Sequence, residues 1–157
     1  MIVKLNANKE DVPFGFTTSP DALDVLTGEV SYFGEVKVSG ILKYIGEGYL
    51  AKGDIEVNKK FTCDRCLKET ESFAKIHFEE KFTSYETDDS TLFTGDEIDL
   101  TDAVRDNILA SEPIQKLCKE DCKGLCLICG HDLNEGDCGC DRRIPDPRLS
   151  ILDNIKI

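Results

Sequence analysis

Apolar and polar residues alternate along the first half of the chain. One alternating series covers residues 30–42 and a second covers residues 49–57, with Gly46-Glu47-Gly48 as the turn between them. A period of two residues is typical of strands that bury one face of a sheet and expose the other. Residues 24–60 are therefore predicted to form an antiparallel β-meander.

A further strand is predicted from four apolar residues: Phe73, Ile76, Phe78 and Phe82. The step from Phe73 to Ile76 breaks the alternation, so this strand contains a β-bulge unless the assignment there is wrong. Residues 85–96 lack regular periodicity and are predicted to form a solvated loop.

Helical spacing replaces the alternation in two places. A short helix is predicted after Asp99 or Thr101, either of which can cap it, and Pro113 ends it. Its apolar stripe consists of Val104, Ile108 and Leu109. A C-terminal helix is predicted to begin at Asp146-Pro147, because aspartate is a good N-cap and proline suits the first turn.

These elements predict an α+β protein. Residues 1–112 are expected to form a β-rich domain, either a meander or a partly closed barrel, that carries the first C-x-x-C and the acidic loop. Residues 113–141 are too rich in cysteine and glycine to fold by burial alone. Residues 113–157 are therefore predicted to form a C-terminal zinc-knuckle module with a terminal helix.

Charge restricts the partners that the chain can have. The formal net charge is −12, and residues 79–102 contain nine acidic residues against one lysine. Nonspecific affinity for nucleic acid comes from lysine and arginine, so the whole molecule is expected to repel it. An RNA contact would need a local basic patch or a basic protein partner. Docking of such a partner is expected at four acidic residues: Asp88, Asp89, Asp96 and Glu97.

The compartment follows from two further observations. The N-terminus has no basic region followed by an apolar run, and no apolar stretch approaches the roughly 20 residues that span a bilayer. We therefore expect a cytoplasmic protein without a membrane partner, in which cysteine thiols stay reduced.

The eight cysteines form four close pairs: Cys63/Cys66, Cys118/Cys122, Cys126/Cys129 and Cys138/Cys140. A tight loop between two cysteines places both thiolates on one side, and tetrahedral zinc takes four sulfurs. Four such pairs in a reduced chain predict two structural zinc ions rather than disulfides, iron–sulfur clusters or redox thiols.

Three assignments keep the pairs intact. Local closure favours 126/129 with 138/140, which leaves 63/66 to join 118/122 and fasten the C-terminal module to the β-domain. The competing assignment joins 118/122 with 126/129 and leaves 63/66 with 138/140. It is less favourable, because only three residues separate Cys122 from Cys126.

Catalysis fits this pattern poorly. A catalytic zinc keeps an open coordination position, which four cysteines would close. The sequence contains no glycine-rich phosphate loop, nucleophile elbow or HExxH motif. We expect neither enzyme activity nor a small-molecule substrate.

Three segments carry a family resemblance: CDRCL at 63–67, EIDLTDAVRDNILASEPI at 97–114 and CKEDCKGLCLICGHDLNEG at 118–136. Together they resemble the YceD family of large ribosomal RNA subunit accumulation proteins. The resemblance runs from about residue 24 to 152 and is most specific at 113–134. The first sixty residues match in pattern alone, and Leu127-Ile128 departs from the proline expected there.

The resemblance implies a bacterial, non-enzymatic factor that supports 23S ribosomal RNA accumulation, with that RNA or a large-subunit assembly intermediate as partner. Two alternatives are an acidic chaperone or adaptor for a basic ribosomal protein without RNA contact, and a thiol-based redox sensor. Direct RNA contact would use basic residues near the cysteines: Arg65, Lys68, Lys116, Lys119, Lys123, Arg142, Arg143 and Arg148.

Overall fold

Five strands form the main sheet of the computed structural model, which describes residues 1–6, 10–25, 29–85 and 90–142. In spatial order they are β2 (Val12–Thr18), β3 (Val30–Tyr44), β4 (Gly48–Thr62), β5 (Glu69–Thr83) and β6 (Thr91–Leu92). Neighbouring strands are antiparallel, except that β6 runs parallel to β5. The remaining elements are β1 (Ile2–Lys4), a 3₁₀-helix (Pro20–Leu23), β7 (Glu97–Asp99) and α1 (Thr101–Ala110), with β1 and β7 paired antiparallel.

The predicted meander is confirmed, whereas a closed barrel is not found. Strands β2 and β6 lie at opposite edges of the main sheet and do not pair within the described ranges. The expected turn also lies in place, since the Ile45 amide donates to the Gly48 carbonyl at 3.0 Å. The observed architecture is thus an open, mostly antiparallel sheet with one short α-helix in the described part.

Two glycines explain how the inner face of this sheet packs. Gly40 and Gly53 pair across β3 and β4, and the register places Phe14 and Phe78 on either side of them. A Cβ atom at Gly40 would lie 2.6 Å from the Phe14 ring, and one at Gly53 would lie 2.9 Å from the Phe78 ring. The missing side chains therefore make room for two aromatic rings over the sheet.

The prediction for β5 is wrong in one respect. β5 pairs with β4 without a register shift along its whole length, so it contains no bulge. Phe73 and Ile76 are three residues apart, so their side chains lie on opposite faces of the sheet without any bulge. Phe73 lies on the outer face and is 61% exposed. The register shift lies instead in β3, between Phe33 and Lys37.

Helix α1 packs over the inner face of the sheet. Val104 and Ile108 are fully buried, as the predicted stripe requires, and Leu109 packs at the margin of the same core. The Asp99 carboxylate accepts the Thr101 amide at 2.9 Å at the start of the helix. The described part of the chain contains no helix with both the length and the apolar character to span a bilayer.

Residues 111–142 run mostly without regular elements and contain the cysteine-rich segment. The predicted division of the chain between residues 112 and 113 stays a prediction. The predicted helix at 146–155 lies outside the described residues, as do Asp88 and Asp89.

Candidate metal centres

The first cysteine quartet joins the sheet to the segment that follows α1. The Sγ atoms of Cys63, Cys66, Cys118 and Cys122 lie within 4.8 Å of one another. The Cys63–Cys122 separation is 3.8 Å and the Cys66–Cys118 separation is 3.6 Å, far longer than the roughly 2.05 Å of a disulfide. Cys63, Cys66 and Cys122 are buried, so this quartet lies inside the protein.

The turn between β4 and β5 forms the first cysteine knuckle. The Cys63 amide donates to the Lys68 carbonyl, and the Leu67 amide donates to the Cys63 carbonyl, both at 2.9 Å. Leu67 has a φ of 59°, a left-handed conformation that is unusual for a residue with a side chain. The antiparallel β-hairpin therefore fixes the position of the first C-x-x-C.

A second knuckle repeats this hydrogen-bond pattern. The Cys126 amide donates to the His131 carbonyl, and the Gly130 amide donates to the Cys126 carbonyl, both at 2.8 Å. Gly130, with a φ of 73°, takes the place that Leu67 has in the first knuckle. The Sγ atoms of Cys126, Cys129, Cys138 and Cys140 again lie within 4.8 Å of one another.

The thiol pKa values indicate sulfurs that share a site. Burial raises the pKa of Cys63, but the amides of Cys66, Cys118 and Arg65 outweigh it and bring the value to about 6. Burial and the neighbouring thiols raise the pKa of Cys118 to about 12. Sulfurs this close repel one another when ionised, so a quartet of thiolates needs a cation between them.

The second quartet shows the same division. The amides of Cys129 and Ile128 lower the pKa of Cys126 to about 6. The Cys140 thiol donates hydrogen bonds to the sulfurs of Cys129 and Cys138, and these bonds raise its pKa to about 12. One sulfur in each quartet is thus prepared to ionise, while another keeps its proton unless a cation is bound.

Both quartets fit a tetrahedral metal ion. A metal–sulfur distance of about 2.3 Å, as zinc has, separates tetrahedral sulfurs by about 3.8 Å. The Cys66–Cys118 and Cys63–Cys122 separations in the first quartet, 3.6 and 3.8 Å, match that value. Each quartet could therefore hold one metal ion, and the grouping is the one that local closure of the pairs favours.

Arg65 holds the two knuckles together. Its carbonyl accepts the Leu125 amide at 3.1 Å, and its guanidinium donates to the Cys122 carbonyl at 2.9 Å. Gly124, with a φ of 75°, approaches so closely that a Cβ atom there would lie 2.9 Å from the Arg65 carbonyl oxygen. The backbone around Arg65 thus connects the first quartet to the chain that leads into the second.

A polar network that the sequence did not reveal adds to this connection. Lys68 Nζ lies 2.7 Å from Oδ2 of Asp132, whose side chain is 10% exposed. The other Asp132 oxygen accepts the Asn134 side-chain amide at 2.7 Å, and that amide also lies 3.5 Å from the Cys122 sulfur. The hydrogen bond from Lys68 brings the pKa of Asp132 to about 2.

Comparison with known proteins gives one family. The sequence model of the family described as "Large ribosomal RNA subunit accumulation protein YceD" matches residues 51–156, which is most of the chain and includes all eight cysteines. This chain belongs to the YceD family.

A plant relative supports the assignment over a shorter segment. The chain is 37% identical over 60 residues to "Large ribosomal RNA subunit accumulation protein YCED homolog 1, chloroplastic" of Arabidopsis thaliana. The aligned segment covers 38% of this chain and 19% of that relative. No solved structure matches this YceD-family chain.

Most of the predicted RNA-contacting residues of this YceD-family protein have structural partners. Lys68 bonds Asp132 and Glu135, and Arg65 bonds the Cys122 carbonyl. The other ion pairs are Lys116–Glu29, Lys119–Asp121 and Arg142–Asp137. Arg65, Lys123 and Arg142 line one recess of about 560 Å³ beside the first quartet, whereas Arg143 and Arg148 lie outside the described residues.

Two of the four predicted acidic docking residues, Asp96 and Glu97, lie in the described part of the chain, and Glu97 borders a carboxylate-lined recess. Asp96 accepts the Leu5 amide through its carbonyl, and Glu97 lies 3.7 Å from Lys4 Nζ. Glu97 also lines a recess of about 500 Å³ whose other carboxylates belong to Glu80, Asp99, Asp102 and Asp106. The sequence signal for this recess was the spacing of Asp102 and Asp106, which places both on one face of α1.

Proposed function

We propose that this YceD-family protein is a non-enzymatic, zinc-binding factor in large ribosomal subunit biogenesis that supports 23S rRNA accumulation in the bacterial cytoplasm. The observation that carries the proposal is the family match across all eight cysteines. The name of the plant relative concerns the same process, although the aligned segment covers 19% of that protein.

Zinc is the metal that the ligand set supports best. Each quartet offers four thiol sulfurs and no oxygen, and zinc readily takes four cysteines in a tetrahedral structural site. Four sulfurs leave no open coordination position for substrate, which supports a structural role rather than a catalytic one. A zinc ion between Cys63/Cys66 and Cys118/Cys122 would fasten the segment after α1 to the β4–β5 turn.

A second candidate is an acidic adaptor that holds a basic ribosomal protein without contacting RNA. Two observations favour it: the formal charge of −12, and the recess lined by five carboxylates. Structural zinc held by four thiolates would make the protein more negative still. The net charge of the protein therefore attracts a basic partner and repels RNA phosphates.

Depletion of the protein in its organism of origin tests the assembly role. We expect less 23S rRNA and a smaller large-subunit peak in gradient sedimentation, both restored by the wild-type chain. Cys126→Ser should restore neither, whereas Ile114→Ala, which changes an exposed residue outside both quartets, should restore both. Unchanged 23S rRNA and subunit levels after depletion would contradict the proposed function.

Two sets of charge variants separate the candidates. Lys123→Glu with Arg142→Glu should abolish salt-sensitive binding to 23S fragments if the protein contacts RNA directly. Asp102→Asn with Asp106→Asn should release a co-purifying basic ribosomal protein if the adaptor role is right. Retention of that protein by the neutralised variant would exclude the carboxylate recess as its docking site.

A further inference from the structure

Two exposed phenylalanines lie in one row on the outer face of the sheet, with Asn58 between them. The register pairs Phe33 with Asn58 and Asn58 with Phe73, so the three residues form one row over β3, β4 and β5. Phe33 is 40% exposed and Phe73 is 61% exposed. We call this row the aromatic cleft.

The rest of this face carries mainly charged side chains in cross-strand ion pairs. Three of them are Lys52–Glu79, Lys75–Asp54 and Lys60–Glu69. A face built for solvation alone would continue this pattern through the row. The aromatic cleft interrupts it with apolar surface on both sides of a neutral amide.

Local backbone structure leaves room beside Asn58 in the aromatic cleft. The register shift of β3 begins directly after Phe33, and Gly34 has a φ of 75°. A Cβ atom at Gly34 would already lie 3.6 Å from the Asn58 amide nitrogen, so a larger residue would cover it. The Asn58 carboxamide forms no hydrogen bond with the described residues.

The spacing suits a planar group held between the rings. Two strand separations place the Cα atoms of Phe33 and Phe73 about 9.6 Å apart. A planar group in contact with both rings needs about 7–8 Å between ring planes, so each ring has to lean inward by only about 1 Å. A recess of about 210 Å³ lies beside Phe73 and Asn58, and its charged lining consists of Glu35, Glu56 and Lys37.

Charge decides between a nucleobase and a guanidinium, two planar groups that ribosomal components offer. A nucleobase would bring its phosphates to a protein of formal charge −12, and the two carboxylates of the recess outnumber its one lysine, Lys37. A guanidinium would be attracted, would stack on the rings, and would find acceptors in Asn58 Oδ1 and both carboxylates. We propose that the aromatic cleft binds an arginine side chain of a basic partner protein.

The carboxylates of the recess already form ion pairs with lysines, and an incoming guanidinium can replace those lysines. Glu35 meets Lys37 at 3.9 Å, a long contact that a bidentate guanidinium can improve on. Glu56 lies 3.5 Å from Lys75, which keeps its closer partner Asp54 at 3.2 Å when Glu56 turns away. The choice of a ribosomal protein as partner rests on the proposed function, whereas the preference for arginine rests on the cleft itself.

Fluorescence anisotropy with two labelled peptides tests the proposal on the full, metal-loaded protein. An octa-arginine and an octa-lysine peptide carry the same charge, so they differ in stacking and in hydrogen-bond geometry. We expect octa-arginine to bind about tenfold more tightly. Phe73→Ala and Phe73→Leu should both remove that preference, because leucine keeps apolar bulk without a ring, whereas Ile114→Ala should retain it.

Equal affinity for the two peptides, or a preference that survives Phe73→Ala, would overturn the proposal. A labelled ten-nucleotide oligouridylate is the third probe. Binding of this RNA that is lost in Phe73→Ala would assign the cleft to bases and would also overturn the arginine proposal. These results leave the 23S rRNA and sedimentation outcomes unaffected, so failure of the cleft is distinguishable from failure of the assembly role.

Discussion

Replacing Gly130 with alanine is expected to weaken metal retention in the second quartet about fivefold. Gly130 has a φ of 73°, and a Cβ atom there would meet nothing within 4 Å, so the cost comes from the backbone alone. Left-handed backbone costs a residue with a Cβ atom about 1–2 kcal/mol. Alanine also reduces the conformational entropy of the unfolded chain, which offsets about 0.4–1 kcal/mol of that cost. The net destabilisation of the folded knuckle is about 1 kcal/mol. Because metal binding and knuckle folding are coupled, this lowers metal affinity about fivefold.

The first knuckle provides the reverse experiment. Leu67 has the equivalent position with a φ of 59°, so Leu67→Gly relieves the same strain and should tighten metal retention in the first quartet by up to about fivefold. Chelator titration followed by cysteine alkylation and peptide mass spectrometry reports the two quartets separately.

Gly95 supplies the matched control. It has a φ of 78° with open space around it and lies outside both knuckles, so Gly95→Ala should lower thermal stability without changing metal retention. Unchanged release from the second quartet in Gly130→Ala would refute the reasoning. Equal weakening of both quartets would refute it as well.

Gly40→Ala should destabilise the protein by about 3 kcal/mol in chemical denaturation, because the new methyl group would lie 2.3 Å from a backbone oxygen, whereas Gly15→Ala meets nothing within 4 Å and should not. The Thr101 hydroxyl holds the pKa of Asp99 at about 2, below its unfolded value. The stability that Asp99 contributes is therefore present above about pH 4 and lost as the pH falls to 2, so thermal melts of Asp99→Asn and wild type should converge there. Cys63→Ser should release the segment after α1 from the sheet to limited proteolysis, whereas Cys126→Ser should expose the second knuckle alone.

Alternation predicted β3 and β4 because one face of each strand is buried against a single core. It failed at Phe73, since the periodicity of one strand cannot distinguish a bulge from an apolar residue on the outer face. The register shift in β3 carries a weak signal, a glycine at position 34, which resembles many other strand glycines. Phe33 and Phe73 belong to one row because both pair with Asn58 on β4, and this pairing cannot be read from either strand alone.

Loop closure predicted the grouping of the cysteines, because the pairs at 126/129 and 138/140 lie close in sequence. The network of Lys68, Asp132 and Asn134 was not predictable, since it depends on how the second knuckle sits against the first. The carboxylate recess likewise depends on tertiary structure, because α1 brings Asp102 and Asp106 next to Glu80 of β5. Local sequence patterns are enough to predict strands, helices and ligand pairs. Contacts between the two knuckles can be predicted only when the tertiary structure is known.

The central claim is that two cysteine quartets hold two structural zinc ions, one of which fastens the segment after α1 to the sheet. Native mass spectrometry of protein purified without chelator tests it most directly. We expect a mass increment of two zinc ions in the wild type and of one in Cys63→Ser and in Cys126→Ser. Metal-free protein, or a wild type whose cysteines are paired in disulfides, would contradict the account.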